Sequence, residues 1–248
     1  MAAVLETAGL TKSFGGIVAV DDVTVAIRPG EIVGIVGANG AGKTTFVNLI
    51  TGYLAPDRGR ITYLGRNITA RPPQEVTRSG IARSFQIPQI CRSLTVLENV
   101  LIALAAREGR GLRAWGPLAT PGRERAALEV LEPFGLREHA RRPVGELPEG
   151  GLKLLDVAMS AALQPKLLLM DEPTSGVSSK EKFGVMETLL RVLEEQQVTV
   201  IFVEHDMDVV TRYARRVLAF VEGKVLADGP PDEVLAEPAV RKAVLGLA

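Results

Sequence analysis

The stretch "VDDVTVAIRPGEIVGIVGANG" alternates apolar and polar side chains from Val23 to Ile27 and turns at Pro29-Gly30. It resumes as a nearly unbroken apolar run from Ile32 to Val36. Alternation at period two sets one face on a core and the other in water, so the first segment predicts a half-exposed antiparallel strand. The second segment has no polar face and predicts a strand covered on both sides. Beyond Lys43 the spacing changes, with Phe46, Leu49, Ile50 and Tyr53 recurring at helical intervals. "APDRGR" has the composition of a turn, and "ITYLGRN" reads as a strand running into another turn. Thr95 and Glu98 stand in capping-box register ahead of "NVLIALAA". Residues 107–123, rich in Arg, Gly and Pro, predict a loop, and Arg125 to Phe134 a helix.

"KLLLMDEP" and "VTVIFVEHD" predict buried strands, with "KEKFGVMETLLRVLEEQ" as the amphipathic helix between them. "RVLAFVEGKVLADG" predicts a hairpin turning at Glu222-Gly223. Strands alternating with helices make the fold class α/β with a mostly parallel sheet. Residues 87–163 read as a helical lobe inserted between two parts, 1–86 and 164–248, of one domain.

Composition narrows this picture without changing it. Of 248 residues 46% are apolar, enough for a sizeable core without disulfides or metals. The single cysteine, Cys91, can form no internal bridge, which fits a reducing compartment. Lys plus Arg and Asp plus Glu each total 29, so nothing marks a global nucleic-acid surface. The chain shows no run long and apolar enough to span a membrane, and "MAAVLETAGL" has no signal-peptide pattern. A cytosolic protein, or one docked on something cytosolic, is expected. The basic cluster Arg107, Arg110, Arg113, Arg123 and Arg125 reads as solvated surface.

The chemistry begins at "GANGAGKT", Gly37 to Thr44, a glycine, four residues and then Gly-Lys-Thr, between a buried strand and a helix. Gly37, Gly40 and Gly42 let the backbone curl around an anion with its N–H groups inward, and the following helix adds the positive end of its dipole. Lys43 carries a full charge to terminal phosphates, and the Thr44 hydroxyl suits Mg²⁺. At the end of "LLLMDEP", Asp171 sits where sheet ligands gather and can hold Mg²⁺ through water. Glu172, next in the chain, can accept a proton from an attacking water. In "GELPEGGLKLLDVAM", Gly150 and Gly151 stand at the mouth of a helix, another natural anion site.

These motifs, with "LPEGG" between them, resemble the nucleotide-binding domain of ABC transporters. "GANGAGKTT", "RSFQ", "LPEGGLKLLDVAMSAALQPKLLLMDEPTSG" and "VEHDM" occur in family order, and the resemblance covers almost the whole chain. "FGGIVAVDDV", "IARSFQIPQICRSLTVLENV" and "PDEVLAEPAVRKAVLG" look like the ATP-binding subunits of branched-chain amino acid importers. The resemblance implies a P-loop core with an antiparallel β subdomain, and ATP with Mg²⁺ as ligands. ATP would lie between the loop Gly37, Ala38, Asn39, Gly40, Ala41, Gly42, Lys43, Thr44 and Thr45 of one subunit and the signature Pro148, Glu149, Gly150 and Gly151 of another. By the same carry-over Phe14 stacks on adenine, Gln86 touches Mg²⁺ and the attacking water, and His205 contacts the γ-phosphate. Metal contacts fall to Thr44, Gln86 and Asp171. His139, in "LREHARR", has no such context and reads as surface. The implied partners are a second ATPase subunit, identical or different, transmembrane permeases docking near Ile87 to Glu98, and indirectly a solute-binding protein. The implied place is peripheral, on the cytoplasmic face of the membrane.

The family signature reads Leu-Ser-Gly-Gly-Gln, whereas here Pro148 replaces the serine, Glu149 the first glycine and Gly151 the glutamine. Pro148 offers neither hydroxyl nor N–H. A hydrogen bond to a charged group is worth about 1.5–3 kcal/mol, so its loss weakens that contact roughly ten- to hundredfold. Ser178 stands where the family often has aspartate. These departures suggest a heterodimer with unequal sites. They also leave room for a regulatory subunit with weak turnover. A soluble non-transport ATPase of the family would carry a long coiled-coil insertion or tandem cassettes, and this chain has neither. The motifs do not encode import or export.

Overall fold

The computed structural model describes residues 2–109 and 117–245. Strands β1 (Leu5–Phe14) and β2 (Ile17–Ile27) form an antiparallel hairpin. Strand β3 (Ile32–Val36) leads to helix α1 (Lys43–Ile50), followed by β4 (Arg58–Tyr63), β5 (Arg66–Asn67), helix α2 (Pro73–Ser79) and β6 (Ile81–Ser84). Helices α3 (Val96–Arg107), α4 (Pro121–Leu131) and α5 (Glu149–Ala162) come next. After them β7 (Leu167–Asp171), α6 (Lys182–Glu195), β8 (Thr199–Val203) and α7 (Met207–Tyr213) alternate. The chain continues through β9 (Arg216–Val221), β10 (Lys224–Gly229), α8 (Pro231–Ala236) and α9 (Pro238–Leu245).

Two sheets result. A six-stranded sheet runs β10-β9-β3-β8-β7-β6, parallel except at β10, and a four-stranded antiparallel sheet runs β2-β1-β4-β5. The sequence patterns explain the placement. Every residue of β3, β7 and β8 is buried, as their unbroken apolar runs require, while Val23 to Ile27 alternates buried and exposed. One core cluster joins α3, α4 and α5 to α6 and one face of the six-stranded sheet. The other fills the space between the two sheets around Phe46, Tyr63 and Phe220. The β9–β10 hairpin turns at Glu222 (φ 48°) and Gly223 (φ 81°), where both turn residues take the left-handed backbone that suits the twist of paired strands.

Some boundaries differ from expectation. Tyr53 lies beyond α1, which stops at Ile50; the chain turns at Gly52 and leaves the Tyr53 ring exposed, edge-on to Phe85. Helix α4 starts four residues before Arg125, because Thr120 caps it through the Arg123 N–H and Pro121 fits its first position. Strand β4 takes in Arg58, Gly59 and Arg60 from the expected turn. Thr95 and Glu98 do form a reciprocal capping box on α3. Arg107 and Arg125 are exposed, as expected of solvated surface. Arg123 is half-buried and paired with Glu108 at 2.9 Å, and Arg110 and Arg113 lie outside the described residues. His139 is only partly exposed, and its Nδ1 is buried with no hydrogen-bond partner.

Candidate functional site

Neighbouring parallel strands β3, β8, β7 and β6 end along one edge of the sheet, and each delivers a different segment there. Gly37 to Thr45 follow β3, Glu204 and His205 follow β8, Asp171 and Glu172 close β7, and Phe85 and Gln86 follow β6. This is the edge where α/β sheets bind their ligands.

The loop after β3 is clasped by backbone. A side chain at Gly42 (φ 99°) would place its Cβ 2.1 Å from the Ala19 carbonyl oxygen, and one at Gly37 would fall 2.4 Å from that of Phe220. Gly42→Ala is therefore expected to lower unfolding free energy by more than about 2 kcal/mol. The left-handed backbone alone costs about 1–2 kcal/mol, and the overlap adds to it. A urea melt beside native protein checks this, and an unchanged midpoint would contradict the close approach.

Ala38, Asn39 and Gly40 are exposed, and Ala41 is buried. Gly42 caps α1 without any side-chain cap, so the first-turn N–H groups stay available to an anion. Thr44 is exposed in that turn and Thr45 half-buried. Lys43 is 5% exposed, and its Nζ donates to the carbonyls of Gly37 (2.6 Å) and Ala38 (2.9 Å). Burial holds its pKa below the usual lysine value, against the opposing pull of Glu172 and Asp171. The ammonium is thus within electrostatic reach of both carboxylates.

Asp171 is buried at the end of β7, with Oδ2 accepting from Arg83 Nη2 at 2.9 Å. Arg83 also donates to Asn48 Oδ1 at 2.6 Å and lies 4.7 Å over the Phe85 ring. Glu172 takes a left-handed backbone (φ 49°), unusual for a side-chain-bearing residue, with its N–H donating to Val203 O at 2.9 Å. Its carboxylate is the meeting point of two other loops. Gln86 Nε2 donates to Oε2 at 2.7 Å, and His205 Nε2 lies 3.2 Å from Oε1. Three residues singled out in the sequence, far apart along the chain, thus come together. Asp171, the Thr44 hydroxyl and the Gln86 amide oxygen offer hard oxygen donors at the same edge. Among the described residues no cluster of three His, Cys, Asp or Glu side chains could hold a metal unaided.

Other predicted residues stand apart. Phe14, at the tip of the β1–β2 hairpin, is 46% exposed with Lys12 Nζ 5.6 Å from its ring centroid. Pro148 caps α5 with no side-chain hydrogen bond. Gly150 and Gly151 are buried, and a Cβ at Gly150 would sit 3.1 Å from Val185, so glycine there also seats α5 on α6. Glu149 is exposed. Among the described residues Phe14 and Pro148–Gly151 make no hydrogen bond or ring contact with the Lys43 loop. Ser178 is exposed and donates to Glu181 Oε2 at 2.7 Å.

Sequence reasoning missed Arg83 and Glu204. Glu204 is 4% exposed and accepts from the Thr174 N–H (2.9 Å), the Thr174 hydroxyl (2.6 Å) and the His205 N–H (3.2 Å), bracing the loops that follow β7 and β8. A charge ending the apolar run "VTVIFV" was its only signal.

The ABC transporter family model matches residues 20–175. The chain is 37% identical over 247 residues to the high-affinity branched-chain amino acid transport ATP-binding protein LivG of Salmonella typhimurium, covering 97% of this chain and 96% of that one. It is 35% identical over 252 residues to the corresponding protein BraF of Pseudomonas aeruginosa, covering 99% and 98%. The solved structure of MJ1267, an ATP-binding cassette of an ABC transporter in its ADP conformation, superposes with a TM-score of 0.89 at 31% identity over the whole of both chains.

Proposed function

The chain belongs to the ABC transporter family of ATP-binding, ATP-hydrolysing proteins, and from that premise we propose that it powers uptake of branched-chain or related amino acids through transmembrane permeases. The observation that carries the catalytic part is the convergence of Gln86 and His205 on the Glu172 carboxylate, beside the buried Lys43. Near-full-length similarity to LivG and BraF supports the substrate class.

The roles follow from position. Backbone N–H groups of Gly37 to Thr45 and the Lys43 ammonium hold the terminal phosphates. Glu172 takes the proton of the attacking water, while Gln86 and His205 keep its carboxylate and the water in place. Exposed Phe14 offers its ring to adenine. Asp171, Thr44 and Gln86 suit Mg²⁺, because a sparse set of oxygen donors leaves room for phosphate oxygens and water in its shell. When bound, the ion neutralises phosphate charge.

A second ATPase subunit covers the nucleotide with its own signature, and Pro148 to Gly151 of this chain cover the partner's. Pro148 brings no hydroxyl and Glu149 brings a negative charge, so the partner's site is the weaker of the two. Nucleotide-driven closure of the pair is a shift of population toward the closed form. Ile87, 74% exposed and next to Gln86 in the chain, and Tyr53, 54% exposed and edge-on to Phe85, offer apolar surface to a permease loop. No helix among the described residues is long and apolar enough to cross a membrane, and we place the chain at the cytoplasmic face as a peripheral subunit. Vesicles containing this chain and its co-purifying permeases should accumulate labelled leucine, isoleucine or valine when supplied with ATP and a solute-binding protein. Uptake confined to another class of solute would contradict the substrate assignment.

A further inference from the structure

Lys153 and Asp156 lie three residues apart on one face of α5, and none of the roles above employs them. Both are buried, at 3% and 5% exposure. Lys153 Nζ donates to the main-chain carbonyls of Gln86 (2.6 Å) and Glu172 (3.3 Å). These are the two residues whose side chains meet each other at 2.7 Å. Asp156 accepts the N–H groups of Phe85 and Gln89, each at 3.2 Å, which bracket Gln86 on both sides. One helix face therefore holds the Gln86 segment by its N–H groups and its carbonyl, and the same lysine reaches the carbonyl of the catalytic carboxylate residue.

Packing alone does not call for a lysine here. An aliphatic side chain would fill the volume without the cost of burying a charge. Burial holds the Lys153 ammonium below its usual pKa, against Asp156, Glu204, Glu149 and Glu172, and pushes Asp156 above the usual carboxylate value. Burial thus works against the charged form of both groups, and their contacts fall on segments that carry the chemistry.

We propose that Lys153 is a positioning residue that sets the separation of Gln86 and Glu172 from helix α5. This rests on the reading of Glu172 as the base. It has a consequence for the dimer. Helix α5 begins at the glycines that cover the partner's nucleotide, so a displacement there is delivered through one side chain to the carboxylate serving this chain's own nucleotide.

The test compares native chain, Lys153→Met, Lys153→Arg, Gln86→Ala and the double variant Lys153→Met/Gln86→Ala, each assembled with its co-purifying subunits. Methionine keeps length and burial and removes the donor. A misplacement of about 1 Å can cost roughly 100-fold in rate, so Lys153→Met should lower kcat about 10- to 100-fold. KM for ATP and the nucleotide-dependent rise in Tm should stay near native values, and Lys153→Arg should recover part of the rate. The double variant should lose little more than the worse single one, because residues acting as a unit are not additive. A native kcat in Lys153→Met, multiplying losses in the double variant, or loss of the Tm response along with turnover would each overturn the inference. Absence of hydrolysis in the native assembly would remove the Glu172 reading and this inference with it, whereas native hydrolysis unaffected by Lys153→Met would remove this inference alone.

Discussion

Glu172→Gln is expected to slow ATP hydrolysis by about 10²–10⁴-fold, the range for a positioned general base, while nucleotide binding persists. Glutamine keeps the shape and can still accept the Gln86 hydrogen bond, now 2.7 Å long, but its amide takes no proton from water. The backbone at φ 49° is no harder for glutamine than for glutamate. Phosphate release should therefore fall while ATP stays bound, and the closed dimer should accumulate. A residual rate within about tenfold of native would transfer the base role elsewhere. In the proposed pairing, the equivalent substitution in a partner ATPase subunit should matter less, because Pro148 and Glu149 of this chain would cover that site. Equal losses would contradict the unequal sites.

Lys43→Ala is expected to remove activity at an earlier stage, through binding as well as rate. The ammonium now serves the carbonyls of Gly37 and Ala38 within electrostatic reach of Glu172 and Asp171, so phosphates can recruit it with little reorganisation. One hydrogen bond to a charged group is worth about 1.5–3 kcal/mol, roughly a ten- to hundredfold loss of affinity. Stabilisation of charge developing on the transferred phosphoryl group is lost in addition, and kcat/KM should fall by roughly 10³ or more. Steady-state kinetics check this, with a melt in the absence of nucleotide to separate loss of chemistry from loss of fold. A variant that folds and turns over within tenfold of native would show that the loop grips no phosphate.

The strands buried on both faces were legible in the sequence because they are short apolar runs rich in β-branched or large aliphatic residues and flanked by turn or charged residues. Ile32 to Val36 and the runs ending at Asp171 and Glu204 are too short for buried helices and read as covered strands. Strand β1 escaped notice: Gly9, at φ 62°, and three register shifts against β2 break its alternation. The phosphate loop and Asp171-Glu172 were readable because each motif is local. Gln86 and His205 needed the family resemblance, and the structure brings both to Glu172.

What stayed hidden is the support beneath them. Arg83 meets Asp171 from 88 positions away, Lys153 meets Gln86 from 67, and Glu204 meets Thr174 from 30. Glu204 shows only as a charge ending an apolar run, Arg83 has no local mark because its partner is set by tertiary contact, and on an amphipathic helix Lys153 looks like any solvated lysine. Gly150 shows the converse. Its place at a helix mouth points outward to an anion, yet its closest constraint is Val185 of the same chain.

The most direct test of the nucleotide site is the melting temperature of purified native chain with and without Mg²⁺ and ATP. At 100 times Kd a ligand that binds only folded protein adds about 2.7 kcal/mol. In a chain of this size each kcal/mol raises Tm by about 2–4 °C. A rise of roughly 5–10 °C in native protein, shrinking to about 1–6 °C in Lys43→Ala at the same nucleotide concentration, is the expected result. The same Tm with and without nucleotide in native chain, tested alone and with its partner subunit, would contradict the assignment.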